Sequence, residues 1–321
     1  MIVASAPTRL DFGGGWTDVP PFPEERGGFV CNLAIERRAT VTITAAADAG
    51  APAEPLVAAA LRRAGISGVR ASLTSDFPIG SGLGGSSAAG VALQAAIAAM
   101  GSQTVSRAEL AERSRTTEVH ELGVAGGFQD HYAAAFGGAL GLTLGRTRHA
   151  EPLVLTAATT ASLEARLCVI YTGESRISAE TITAVIDAYR DRVPRVVQAL
   201  ERMRDLARGM AESLQAGTVS ELAEQVSEHW VHQQSLHPAI TTPRITQIEA
   251  AVRAAGATGF KALGASGGGC VVAIAPVDAM EGVRRAASPL GEVLHWKVAR
   301  SGVQVALATT VADAPNDSPS D

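Results

Sequence analysis

Residues 78–90 read PIGSGLGGSSAAG, five glycines and three serines at the mouth of an alanine-rich segment. Glycine lets the backbone turn sharply and bring its N–H groups close to a ligand. Ser86 is expected to cap a helix that begins at Ser86 or Ser87. Such a helix aims unpaired N–H groups and the positive end of its dipole at an anion, so the stretch predicts a phosphate cradle. Two common nucleotide patterns do not fit it. A Walker-type loop needs a lysine after its last glycine, and this loop has none. Gly80-x-Gly82-x-x-Gly85 has the spacing of a dinucleotide fingerprint, but no Asp or Glu stands between Asp76 and Glu109 to take the ribose. A plain turn is the remaining reading, and five glycines with Ser86 and Ser87 exceed what a turn needs.

Outward from the loop, Val69–Leu73 alternates as a strand and leads in through Asp76-Phe77-Pro78, while the alanine-rich segment 86–100 reads as a buried helix. Strand–glycine loop–helix is the order that results. Val3–Ala6 and Arg37–Thr44 also alternate, and Ser106 with Glu109 three residues on has capping-box spacing. Residues 123–145 (GVAGGFQDHYAAAFGGALGLTLG) predict a glycine-rich loop, a short helical turn and a hairpin. The second half opens with a strand at Arg166–Tyr171 and turns helical over Ala179–Tyr189, Val193–Gln215, Val219–Ser235 and Pro243–Ala255, with Thr242 as a cap. A second glycine cluster, Gly264–Gly269, precedes a strand at Cys270–Ala275, and Val293–Ala299 and Val303–Leu307 read as closing strands.

A chain of 321 residues is long enough for two domains. With 46% hydrophobic and 18% charged residues it has the composition of a globular protein. Its 27 basic and 32 acidic side chains give −5 with no basic cluster, which argues against a nucleic-acid partner. The longest apolar run, Ala88–Met100, is mostly alanine, is broken by Gln94 and is too short to cross a membrane. MIVASAPTRL at the N-terminus has no apolar run of the secretory kind. Cys31, Cys168 and Cys270 are widely spaced and odd in number, which predicts a reducing, cytoplasmic setting.

Read with its neighbours, PIGSGLGGSSAAG resembles the P-x-x-x-G-L-G-S-S-A-A motif of the GHMP kinases, with one extra glycine at Gly85. Ala6–Asp18 (APTRLDFGGGWTD) and Leu263–Cys270 (LGASGGGC) agree with that superfamily in order and spacing, so three motifs frame nearly the whole chain. Within it, RLDFGGGWTDVPPF followed by Glu25–Gly28, the segment Gly127–Gly138 and YTGESRIS at 171–178 resemble the heptose 7-phosphate kinases and L-fucose kinases. The resemblance implies an α+β, two-domain GHMP kinase fold: a ribosomal-protein-S5-like α/β domain over residues 1–157, a ferredoxin-like α+β domain over 158–309 and a disordered tail at 310–321. It also implies ATP and Mg²⁺, a small sugar or sugar-phosphate substrate, and allows a homodimer.

Phosphoryl transfer needs positioning and charge neutralisation more than covalent work. The resemblance makes Gly80, Ser81, Gly82, Leu83, Gly84, Gly85, Ser86 and Ser87 the nucleotide-binding residues, with the Ser87 hydroxyl and Glu118 carboxylate as magnesium ligands. Glu112 and Glu121 are nearby alternatives to Glu118, and a cap or a solvated face are the bland readings of Ser87 and Glu118. Asp130 is the expected general base, with a helix N-cap as its alternative. Arg9, just after the first strand, is expected to stabilise the transferring phosphoryl group, and a salt bridge to Asp11 or Asp130 would not exclude that. Trp16, Thr17 and Asp18 suit a sugar pocket, Arg176 and Gly267 are placed on the substrate side, and His229 and Trp230 are expected to approach the sugar. His229, His232 and His237 lack the acid of a zinc motif. No basic residue stands near Gln233, where heptose phosphate kinases tend to have one, so recognition of an acceptor phosphate stays open. A small-alcohol kinase of homoserine, threonine or mevalonate type and a catalytically silent ligand sensor are the competing functions.

Overall fold

A computed structural model of the chain describes residues 1–48, 50, 52–174 and 179–307; Arg176 and the expected tail lie outside them. The first sheet contains β1 (Ile2–Gly13), β2 (Gly28–Ala45), β3 (Val69–Ser75), β4 (Ala139–Leu144) and β5 (Arg148–Leu153). A smaller sheet is ordered β7 (Gly259–Ala262), β8 (Cys270–Ile274), β6 (Leu167–Tyr171) and β9 (Glu292–Leu294). The last strand, β10 (Gln304–Leu307), returns to the first sheet and pairs antiparallel with β1, giving the order β10-β1-β2-β4-β5 with β3 beside β2. β10, within the span expected for the second domain, thus joins the first sheet. Val298 also bridges back to Ile35, so most of the expected strand Val293–Ala299 is an extended connection and only its start pairs in the second sheet.

The helices are α1 (Phe22–Arg26), α2 (Pro55–Ala64), α3 (Gly85–Met100), α4 (Arg107–Thr116), α5 (Gln129–Phe136), α6 (Ala157–Arg166), α7 (Ala179–Arg190), α8 (Pro194–Ala216), α9 (Val219–Leu236), α10 (Pro243–Ala254) and α11 (Met280–Ala287). Ser106 caps α4 by accepting from the Glu109 N–H, and Thr242 caps α10 by accepting from Ile245, as their spacing predicts. α3 is buried on all sides from Ser87 to Ala98. Its alanines let it lie close against β1 and β2, and Val41, Leu93 and Leu140 share its core. A second core joins Leu10, Phe12 and Leu33 to Met210 of α8 and Val272 of β8.

β1 is three times as long as the alternation of Val3–Ala6 predicts, and Arg9 lies inside it rather than after it. Its pairing with β2 breaks register between Pro7 and Thr8. Before the break Ala4 and Ala6 pack in the core under α3; beyond it Leu10 and Phe12 pack in the second core. The irregularity thus turns the Arg9 side chain towards α3 and α5, the kind of re-aiming that bulges impose.

Candidate active site

A cavity of about 800 Å³ opens between the glycine loop, α2, the start of α5 and the loop 264–268. Gly80, Ser81, Gly82, Gly84, Gly85, Ser86 and Ser87 line it, with Arg9, Trp16, Asp18, Glu118, Gln129, Asp130 and His131. Leu83 does not: its side chain is buried in the second core, and its carbonyl accepts from the Arg9 N–H at 3.0 Å. The leucine anchors the loop that its neighbours present.

α3 begins at Gly85, with Gly84 as its cap in the left-handed region (φ 77°) and no side-chain hydrogen bond. Ser86 is exposed and does not cap, contrary to the sequence expectation; the first-turn N–H groups have no capping side chain and can meet an anion. A Cβ on Gly84 would come within 3.0 Å of the Asp130 carboxyl carbon, and one on the extra glycine, Gly85, would run into the Phe77 ring. The second glycine cluster braces this loop, because Cys270 N–H donates to the Ser81 carbonyl at 2.7 Å. Gly264, Ala265, Ser266 and Gly268 line the cavity, whereas Gly267 turns its N–H to the Ile240 carbonyl at 3.0 Å.

Arg9, almost wholly buried, donates from Nη2 and Nε to Asp130 Oδ1 at 2.7 and 2.9 Å, and from Nη1 to the Gly82 carbonyl at 2.6 Å. Of its two expected partners it takes Asp130, while Asp11 pairs with the buried Lys261 of β7 at 3.2 Å. Asp130 sits in the first turn of α5 but does not cap it. Asp18 has that place: its Oδ2 accepts from the N–H groups of Phe128 and Gln129 at 2.8 and 2.9 Å. Burial pushes the Asp18 carboxyl up to about 6, against those two hydrogen bonds and with help from the charges of Asp130 and Asp11. Asp18 thus faces the cavity with one oxygen committed to the protein.

Ser87 donates to Glu118 Oε2 at 3.1 Å. Burial raises the Glu118 carboxyl, but the His131 imidazole beside it and hydrogen bonds from Ser86 and Ser87 outweigh this and hold it down at about 2. Glu112 is taken by Tyr132 and Arg148, and Glu121 by Arg62 and Arg63, so Glu118 is the carboxylate at Ser87. Glu118 stands on a π-helical turn, Thr117–Glu121, that extends α4.

Three further sequence expectations change. Thr17 is fully buried and absent from the cavity wall, its hydroxyl bonded to the carbonyls of Gly14 and Phe29 at 2.7 and 3.1 Å. His229 accepts from the Gly14 N–H at 2.9 Å and Trp230 donates to Glu249 at 3.0 Å; both are core residues away from the cavity. Arg176 lies outside the described residues. Gln129 and His131, which line the cavity, gave no signal of their own beyond flanking Asp130. Among the described residues no group of three or more His, Cys, Asp or Glu is placed to hold a metal.

Two family models match the chain, the GHMP kinases N terminal domain over residues 53–138 and the GHMP kinases C terminal over 210–290. The chain belongs to the GHMP kinases. Its α+β fold of antiparallel sheets and helices is the two-domain fold of that family. This GHMP kinase is 27% identical over 304 residues to the bifunctional fucokinase/GDP-fucose pyrophosphorylase of Arabidopsis thaliana, an alignment over 82% of this chain and 29% of that protein. The chain thus spans under a third of that relative. It is also 27% identical over 243 residues to the mevalonate kinase of Pyrococcus furiosus, over 74% of this chain and 69% of that one. The crystal structure of a D-glycero-D-manno-heptose 1-phosphate kinase from Bacteroides thetaiotaomicron superposes with a TM-score of 0.79 at 23% identity, covering 97% of this chain and all of that one. At that identity the likeness shows the fold. Among the described residues no helix is long and apolar enough to cross a membrane.

Proposed function

We propose that this GHMP kinase transfers the γ-phosphoryl group of ATP to a sugar hydroxyl, the anomeric one of a heptose phosphate or a fucose-like sugar. The observation that carries the reading is the Arg9–Asp130 pair, held on the wall of one cavity with the glycine loop and the Ser87–Glu118 pair. Uncapped N–H groups at the start of α3 and the braced loop suit the phosphates. Ser87 and the ionised Glu118 offer the hard oxygen donors that Mg²⁺ prefers, and the ion, when bound, neutralises phosphate charge. Asp130, hydrogen-bonded through Oδ1 to Arg9, would accept the proton of the acceptor hydroxyl as that hydroxyl's oxygen bonds to the γ-phosphorus and the bond from phosphorus to the departing ADP oxygen breaks. Arg9 keeps that carboxylate oriented, and its guanidinium stays charged throughout. Trp16 and Asp18 on the same wall support a sugar over a small alcohol: an indole covers an apolar sugar face and a fixed carboxylate takes hydroxyls.

ADP release measured over free and phosphorylated sugars, mevalonate and homoserine tests this. Turnover with a heptose phosphate or a fucose-like sugar is the expected result. Turnover confined to mevalonate or homoserine would replace the acceptor class, and ATP binding without turnover on any acceptor would replace the kinase reading with that of a ligand sensor.

A further inference from the structure

Ser87 reaches Glu118 in the company of a third side chain. His131, one residue after Asp130 and 3% exposed, places Nε2 at 3.1 Å from Glu118 Oε2 and 3.3 Å from Ser87 Oγ. Its other ring nitrogen, Nδ1, lies 3.0 Å from the Ser114 hydroxyl, itself buried. An ionised carboxylate can only accept, so Nε2 carries the hydrogen that faces Glu118 whether the ring is neutral or charged. Ser114 then either donates to Nδ1 or accepts from it. The Ser87 hydroxyl spends its own hydrogen on Glu118, which leaves the lone pairs of Ser87 Oγ directed elsewhere.

The surroundings are shaped for this contact. Gly90, the last residue of the PIGSGLGGSSAAG stretch, lies in the middle of α3, where glycine is unfavourable by roughly 0.5–1 kcal/mol relative to alanine. A Cβ there would run into Ser114 Oγ. The space given up by Gly90 is occupied by the hydroxyl that orients His131. Three helices and the π-helical turn thus meet on one imidazole: α3 through Ser87 and Gly90, α4 through Ser114, α5 through His131 itself, and the turn through Glu118.

We propose that His131 is a positioning residue that fixes the separation and rotamers of Ser87 and Glu118 for a divalent cation, with Ser114 fixing the ring in turn. The proposal rests on the reading of Ser87 and Glu118 as cation ligands. Partners of this kind change metal affinity by about 10–100-fold when removed. They do so without touching the metal.

The test is Mn²⁺ affinity, read by electron paramagnetic resonance on the full-length protein with saturating ADP, alongside ADP affinity in excess chelator. H131N should weaken Mn²⁺ by about tenfold and S114A by about threefold, with ADP affinity in chelator within about twofold of wild type. A role confined to packing would not separate the two affinities. If E118Q and S87A lose Mn²⁺ while H131N and S114A keep it within about twofold, the positioning role is overturned and the ligand reading survives. If E118Q and S87A also keep it, the ligand reading falls and takes the positioning role with it. Should H131N not fold, S114A and G90A decide the matter: retention of wild-type Mn²⁺ affinity in both overturns the proposal, and parallel loss supports it.

Discussion

The cavity wall formed by residues 80–87 works largely through backbone, and the wall formed by residues 9–18 and 128–131 works through side chains. Across the first, N–H groups at a helix start and carbonyls bound to Arg9 and Cys270 make the surface, and added Cβ atoms would collide with Asp130 and Phe77. Across the second, charged side chains are held by fixed partners: Arg9 on Asp130, and Asp18 on the N–H groups that open α5. Two buried polar atoms there, Trp16 Nε1 and Gln129 Oε1, have no hydrogen-bond partner among the described residues. Backbone recognition suits phosphates, which every donor nucleotide shares. Recognition by side chains carries specificity, and it leaves polar atoms that a substrate can satisfy.

The sharpest way to separate the two walls is Asp130→Ala. Under the proposed function, loss of the base should lower turnover by about 10²–10⁴-fold, while nucleotide affinity should stay within about twofold because the proposed loop contacts are backbone. ADP release and nucleotide titration measure both. Equal losses in both would mean that the walls act as one, through the contacts Arg9 makes to Asp130 and to the Gly82 carbonyl.

Lys261 is the next largest lever. Its ammonium is fully buried, belongs to the second sheet and meets the Asp11 carbonyl and carboxylate of the first at 2.7 and 3.2 Å. Lys261→Met leaves a buried carboxylate uncompensated and should lower the unfolding free energy by about 3–5 kcal/mol in urea titration. The double variant D11L/K261M should recover most of that, since an apolar pair avoids the desolvation of two ions. No recovery would mean that Asp11 serves something beyond the ion pair, for which its unpartnered Oδ1 is the candidate.

Asp18 gives a pH signature that the backbone wall lacks. Its carboxyl titrates at about 6 in the folded protein against an ordinary 3.8. Between about 4 and 6 the folded state therefore holds a proton that the unfolded chain has released, and stability from this group falls as pH rises through that window, by about 3 kcal/mol at most. Asp18→Asn, which keeps an acceptor oxygen for Phe128 and Gln129, should flatten that part of the stability profile. A slope unchanged in the variant would assign the titration to another group.

The sequence is legible where backbone chemistry restricts residue type. The glycine loop, the caps at Ser106 and Thr242 and the long second-half helices all follow from glycine, hydroxyl or apolar spacing. It is least legible where the partner is far away along the chain. Nothing in RLDFG marks a strand that continues through Pro7, because the register break that turns Arg9 to the cavity depends on β2. Nothing in QVAL says that it joins β1 rather than the second sheet. Asp130 stands out by its glycine-rich setting, whereas His131 matters through Ser87, Ser114 and Glu118, from three other elements.

Thr17 tests the boundary of the side-chain wall. In sequence it sits between Trp16 and Asp18, which both line the cavity, yet the turn buries its side chain. Its hydroxyl bonds to Gly14 and Phe29 and receives the Phe29 N–H at 3.3 Å, tying the 14–18 turn to β2. Thr17→Val keeps the shape and removes these bonds, so stability should fall by about 1–3 kcal/mol with the acceptor KM within about twofold of wild type. Thermal unfolding and acceptor titration read the two quantities separately. A KM raised tenfold at unchanged stability would return Thr17 to the acceptor, and the side-chain wall would then extend through the turn instead of stopping at the two residues that flank it.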